Sequence, residues 1–171
     1  MASKRTAQLT LSAMFIAMAV IIPMLLHGIP NAGTLLLPMH FPVLLAGFFV
    51  DPFFALLVGL LSPAVNTLIT GMPPVFPVLP FMMAELATYG FVTSVLYRKL
   101  KMDRNIVLVL SMVSGRLVAT LAVWVLTSMF GARLPAPWAF FSGAFTGSLA
   151  GIAIQLAAIP AIMAVVGKAR R

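Results

Sequence analysis

Residues 37–74 have the sequence LPMHFPVLLAGFFVDPFFALLVGLLSPAVNTLITGMPP. Two apolar segments, 41–50 and 53–71, are joined by Asp51-Pro52. This pair suits the start of a helix, because the first helical residue needs no N–H and a carboxylate is stabilised by the helix dipole there. Polar and ring-constrained residues gather at the other ends of both segments. The stretch therefore predicts a helical hairpin with a tight turn at one end and a polar mouth at the other.

The composition of the whole chain is that of an integral membrane protein. Hydrophobic residues make up 62% of the 171 residues and charged residues 8%, whereas soluble domains have about 25% charged residues. At roughly 20 apolar residues per span, the length allows about five to seven spans in one domain, without a separate soluble module. The chain has no cysteine, which excludes disulfides and thiolate chemistry.

The apolar segments predict an all-α protein with six transmembrane helices in a single domain, 1–171. The expected spans are 6–26, 41–50, 53–71, 81–97, 105–130 and 138–167. With six spans, nine of the eleven Lys and Arg residues lie on the face that holds both termini. The positive-inside rule makes that face cytoplasmic, so the predicted topology is N-in/C-in. The net charge of +8 is thereby explained by orientation, and no nucleic-acid partner is expected.

Small residues on two spans indicate close helix packing. Ala13 and Ala17 share one face of the first span, which suits either packing within the chain or docking to another protein. Gly143, Gly147 and Gly151 repeat at every fourth position of the sixth span. This stripe is expected to let a neighbouring helix approach closely.

The candidate functional residues are polar groups that the membrane does not explain. Glu85 and Arg116 lie within consecutive antiparallel spans, and a charge at that depth normally faces a partner or a wet cavity. They could form a structural ion pair or line a ligand cavity, and the sequence leaves both open. The full set of candidates for substrate binding is His40, Asn66, Glu85, Tyr89, Arg116, Gln155 and Asn31. His27 is a weaker candidate in the first long loop.

Catalytic and nucleotide-binding motifs are missing. The chain contains no HExxH, GxSxG or GxxxxGK sequence and only three acidic residues. An enzyme using His40 and Glu85 as acid and base is disfavoured, because no nucleophile or metal set accompanies them. We therefore expect no enzymatic activity and no cofactor, and any pumping must draw energy from elsewhere. A small autonomous proton-coupled carrier or channel gated at Glu85 is the alternative, although no internal repeat is evident.

Four short sequences carry a family resemblance: PMHFPVLLAGF (38–48), VGLLSP (58–63), GMPP (71–74) and ELATYG (85–90). Their order and spacing resemble the substrate-binding S component of energy-coupling factor (ECF) vitamin transporters. The resemblance covers roughly residues 6–168, and its most specific part is 37–90. It implies a six-helix bundle in a prokaryotic cytoplasmic membrane that captures a vitamin or related micronutrient in an outward-facing cavity.

The resemblance also implies partners: a transmembrane coupling subunit and two cytoplasmic ATPases. Ala13 and Ala17 match the family's docking motif. Two departures are visible: Asp51-Pro52 replaces a Gly-Pro turn, and Met1-Ala2-Ser3 lacks the metal-binding histidine of cobalt and nickel members, so no metal is expected.

The identity of the vitamin stays open from the sequence. Arg116 and Arg133 would suit a carboxylate such as pantothenate. Glu85 with Tyr89 and Asn66 would suit a polar ring such as pyridoxine or riboflavin.

Overall fold

The computed structural model describes the backbone of residues 2–26 and 28–169. Every regular element in these ranges is helical. The α-helices are α1 (Ala2–Leu25), α2 (Ala32–Leu36), α3 (His40–Phe49), α4 (Pro52–Thr70), α5 (Val78–Ser94), α6 (Arg104–Phe130), α7 (Pro137–Thr146) and α8 (Leu149–Ala169), with a π-helical turn at Val95–Lys99. Six candidate spans occur in the described part, which confirms the predicted all-α membrane fold. His27 lies outside the described residues.

Helix α3 lies at the centre of the bundle. Residues 42–48 are all buried, and α3 contacts α1, α4 and α5. Ten residues rise only about 15 Å, half of the roughly 30 Å hydrocarbon layer. A helix this short leaves polar backbone ends inside the hydrocarbon layer, and the helices around it shield those ends from lipid.

The predicted second span, 41–50, corresponds to α3, and the structure adds a short helix, α2, within the segment before it. The break between the two helices lies at Leu37, whose φ of 50° is left-handed. Its carbonyl oxygen accepts hydrogen bonds from the His40 backbone N–H, at 3.0 Å, and from Gln155 Nε2, at 3.3 Å. Irregular backbone is tolerated at membrane depth only where such polar groups are satisfied inside the protein. The candidate span accordingly includes both pieces, Ala32–Phe49.

The sixth predicted span, 138–167, is likewise divided, into α7 and α8, with Gly147 and Ser148 between them. A Cβ at Gly151 would lie 2.7 Å from the Leu36 carbonyl oxygen, so this glycine lets α8 approach α2 closely. Gly143 and Gly147 are exposed, and Gly143 has open space around it. Among the described residues, close packing by the glycine stripe is therefore found only at Gly151.

The C-terminal end of α3 and the N-terminal end of α4 meet at a turn that charged and polar groups hold in place. The Asp51 backbone N–H donates to Gln8 Oε1 at 2.9 Å, and Arg98 Nη2 donates to Asp51 Oδ1 at 2.6 Å. These bonds join α1, the α3–α4 turn and the π-helical turn after α5. We call this region the charged end, comprising residues 4–8, 50–52 and 95–104. The same segments share one membrane face in the predicted topology, and the assignment of that face to the cytoplasm stays a prediction.

Candidate functional site

Helix α5 presents a carboxylate and a phenol toward the bundle interior. Glu85 and Tyr89 are four residues apart and so lie one above the other on the same helix face. The Tyr89 hydroxyl donates to Glu85 Oε1 at 2.9 Å, and both residues are about 2% exposed. This hydrogen-bonded pair is the part of the site that α5 supplies.

Arg116 of α6 completes an ion pair with Glu85. Its Nη1 lies 2.8 Å from Glu85 Oε1, and Arg116 is buried. The neighbouring Gly115 makes this approach possible, because a Cβ there would lie 1.9 Å from Tyr89 Cε1. The pairing that the sequence left open is thus present, and a side chain at 115 would force the Tyr89 ring away from its position.

Ser148, between α7 and α8, is a second partner of the guanidinium. Arg116 Nη2 donates to Ser148 Oγ at 3.3 Å, and the Ser148 hydroxyl donates to the Ala144 carbonyl oxygen. Sequence reasoning did not select Ser148. The sequence feature that could have indicated Ser148 is a hydroxyl directly after Gly147 in an apolar segment, where the helix is interrupted.

His40, the first residue of α3, lies against the ion pair. Its Nε2 is 3.6 Å from Glu85 Oε1, beyond hydrogen-bond length, and its ring makes an edge contact with Tyr89 at a centroid distance of 5.5 Å. Neither ring nitrogen has a hydrogen-bond partner in the described part of the chain, although the residue is 4% exposed. Buried polar atoms are nearly always hydrogen-bonded, so His40 is the member of the site whose polar atoms lack hydrogen bonds, with only the longer contact to Glu85.

These five side chains form what we call the buried polar cluster: His40, Glu85, Tyr89, Arg116 and Ser148. The charges of Glu85 and Arg116 cancel within this cluster. Its remaining polar features are the His40 ring nitrogens and the edges of the aromatic rings. Chemically, the His40 ring nitrogens are the atoms of the cluster that can still form hydrogen bonds with a polar group.

The other predicted site residues have different surroundings. Gln155 is buried and donates to the Leu37 carbonyl oxygen, so it positions the turn that leads into His40. Asn66 Nδ2 donates to the Met72 carbonyl oxygen at 2.7 Å, which ties the loop after α4 to that helix. Asn31 is exposed and left-handed, and the structure does not bring it to the buried polar cluster.

A multi-span helical protein with a charge-balanced polar cluster inside it, next to two interrupted helices, belongs to the class of membrane transport proteins. The family model for the ECF transporter, substrate-specific component, matches residues 7–166, so the chain belongs to that family. Searches of curated proteins and of solved structures give no significant match.

Membership of this family indicates what kind of protein the chain is. Substrate-specific components are subunits of multi-pass membrane transporters rather than enzymes in their own right. The family implies a small-molecule substrate and association with a membrane coupling subunit and ATPases.

The ion pair generates a stability prediction. Arg116→Met would leave the Glu85 carboxylate buried without its counter-charge, and breaking a buried pair in this way costs about 3 to 5 kcal/mol. The double variant Glu85→Gln/Arg116→Met removes both charges and should recover much of that loss. Equilibrium unfolding of the detergent-solubilised protein measures both.

The matched control is Arg133→Met, which removes an exposed cation and should change the free energy of unfolding by no more than about 0.5 kcal/mol. A double variant as unstable as Arg116→Met alone would show that the two charges do not depend on each other.

Proposed function

We propose that this chain is the substrate-capture subunit of an ECF-type ABC importer and binds a vitamin or related micronutrient at the buried polar cluster. The observation that carries the proposal is His40: a buried imidazole with two unpartnered nitrogens directly beside a satisfied ion pair. A ligand with a polar atom at this position would remove the cost of those unpaired groups, about 1 to 3 kcal/mol each. The chain itself performs no catalysis.

The charges of the cluster favour one class of vitamin over another. Arg116 is engaged by both Glu85 and Ser148, and Arg133 is exposed. The cluster thus has no unpaired cation for a carboxylate such as that of pantothenate. His40 and Tyr89 add aromatic surface, and His40 adds two ring nitrogens, which suit an uncharged polar ring such as that of pyridoxine or riboflavin.

The depth of the cluster supports capture from one side of the membrane. Glu85 lies seven residues into α5, roughly 10 Å from the end of the helix that is farther from the charged end. With the charged end in the cytoplasm, as the positive-inside rule predicts, the cluster lies nearer the outer face of a prokaryotic cell membrane. A transmembrane coupling subunit and two cytoplasmic ATPases would supply the energy for delivery.

Helix α1 offers the docking surface for the coupling subunit. Ala13 and Ala17 are both exposed, whereas Phe15 and Ala19 face the core. Small exposed residues four apart let a partner helix approach to backbone distance.

The proposed function predicts tight substrate binding by the purified chain alone. Isothermal titration in detergent with pyridoxine, riboflavin, pantothenate and other vitamins should find one compound that saturates at nanomolar to low-micromolar concentration without ATP, and native mass spectrometry should detect it if it co-purifies. Amino acids and nucleosides are the control ligands. Failure of every vitamin to bind, with no co-purified small molecule, would contradict substrate capture.

A second prediction concerns docking. Ala13→Trp/Ala17→Trp should abolish co-purification with the coupling subunit and ATP-driven uptake in reconstituted vesicles, because the indole rings keep the helices apart. Substrate affinity of the isolated subunit should be unchanged.

The matched control for docking is Leu117→Trp/Leu121→Trp, which adds bulk to two exposed positions one turn apart on α6. Assembly that survives the α1 substitutions, or is lost equally with the α6 substitutions, would place the docking surface elsewhere.

A further inference from the structure

A second site lies at the charged end of the bundle, away from the buried polar cluster. A pocket of about 600 Å³ opens between the α3–α4 turn, the segment 97–102 and the last turns of α8. None of the five residues of the buried polar cluster lines it.

The pocket combines an apolar wall with a cationic rim. Phe48, Met163 and Val166 are among its apolar lining residues, and Lys99 and Lys101 lie at its edge. Both lysines are exposed, and neither forms an ion pair in the described part of the chain. The two lysines thus give the pocket an unbalanced positive charge.

Arg98 adds a fixed donor to this rim. Its Nη1 donates to the Phe49 carbonyl oxygen at 2.9 Å and its Nη2 to Asp51 Oδ1 at 2.6 Å. These bonds hold the guanidinium in place and neutralise Asp51, the acid that lines the pocket. The Arg98 side chain is 32% exposed and lines the pocket, so the immobilised guanidinium is accessible to an anion.

We propose that this pocket binds the phosphate headgroup of an anionic phospholipid. Arg98, Lys99 and Lys101 supply the charge-assisted contacts to the phosphate, and the apolar wall holds the glycerol and the first methylenes of an acyl chain. A free phosphate ion would leave that wall without a contact, whereas a lipid covers both parts. Basic residues between helices at the cytoplasmic side are suited to the anionic lipids of that leaflet.

The test is native mass spectrometry of the full chain in detergent, titrated with phosphatidylglycerol and with phosphatidylcholine of the same acyl chains. Wild-type protein should prefer phosphatidylglycerol. Lys99→Ala/Lys101→Ala should bind it about thirty-fold more weakly, since each basic residue near an anionic surface contributes about five-fold. The control Arg104→Ala/Arg133→Ala removes the same charge from residues that do not line the pocket and should keep the wild-type preference.

Three results would overturn the proposal: equal binding of the two lipids, equal loss in the control variant, or displacement of phosphatidylglycerol by inorganic phosphate at the same concentration. The last would assign the pocket to a free anion. Vitamin binding, measured separately at the buried polar cluster, is expected to be the same in Lys99→Ala/Lys101→Ala as in wild type, so the two proposals fail independently.

Discussion

The ion pair between Glu85 and Arg116 is the constraint on which the rest of this structure depends. A single charge in the hydrocarbon layer costs roughly 3 kcal/mol or more, so each of these residues must find its partner inside the bundle. Their contact at 2.8 Å sets how α5 and α6 face each other. This contact also explains Gly115 and Tyr89. The Tyr89 phenol donates to Glu85 and occupies the space that the glycine at 115 leaves.

Two interruptions of the helices lie next to this ion pair and supply its other neighbours. The break at Leu37 starts α3 at His40, and the break between α7 and α8 places Ser148 against Arg116. Each is satisfied by hydrogen bonds within the protein, the first through Gln155. Transporters commonly form substrate sites from such discontinuous helices, and here the discontinuities bring one unpartnered imidazole to a charge-balanced pair.

The sequence predicts the helical class, the number of spans and the possible meeting of Glu85 with Arg116, because length, hydropathy and antiparallel order depend on local composition. It does not predict which way each helix faces, since helices that are apolar all round carry no amphipathic stripe. For that reason the role of Ser148 was missed. For the same reason, Asn66 could not be assigned to its loop contact in advance. The division of 138–167 was not predicted either, although Gly147 followed by the hydroxyl of Ser148 in an apolar segment was a local indication of it.

The most direct test of the buried polar cluster as a substrate site is a paired measurement on His40→Phe. Phenylalanine keeps an aromatic ring beside Tyr89 but removes both ring nitrogens, which make no hydrogen bond in the described residues. We expect a melting temperature equal to or above that of wild type and a loss of vitamin affinity of about ten-fold or more, the value of one hydrogen bond in a dry site. Full affinity in a stable His40→Phe protein would contradict the proposal that the cluster binds substrate.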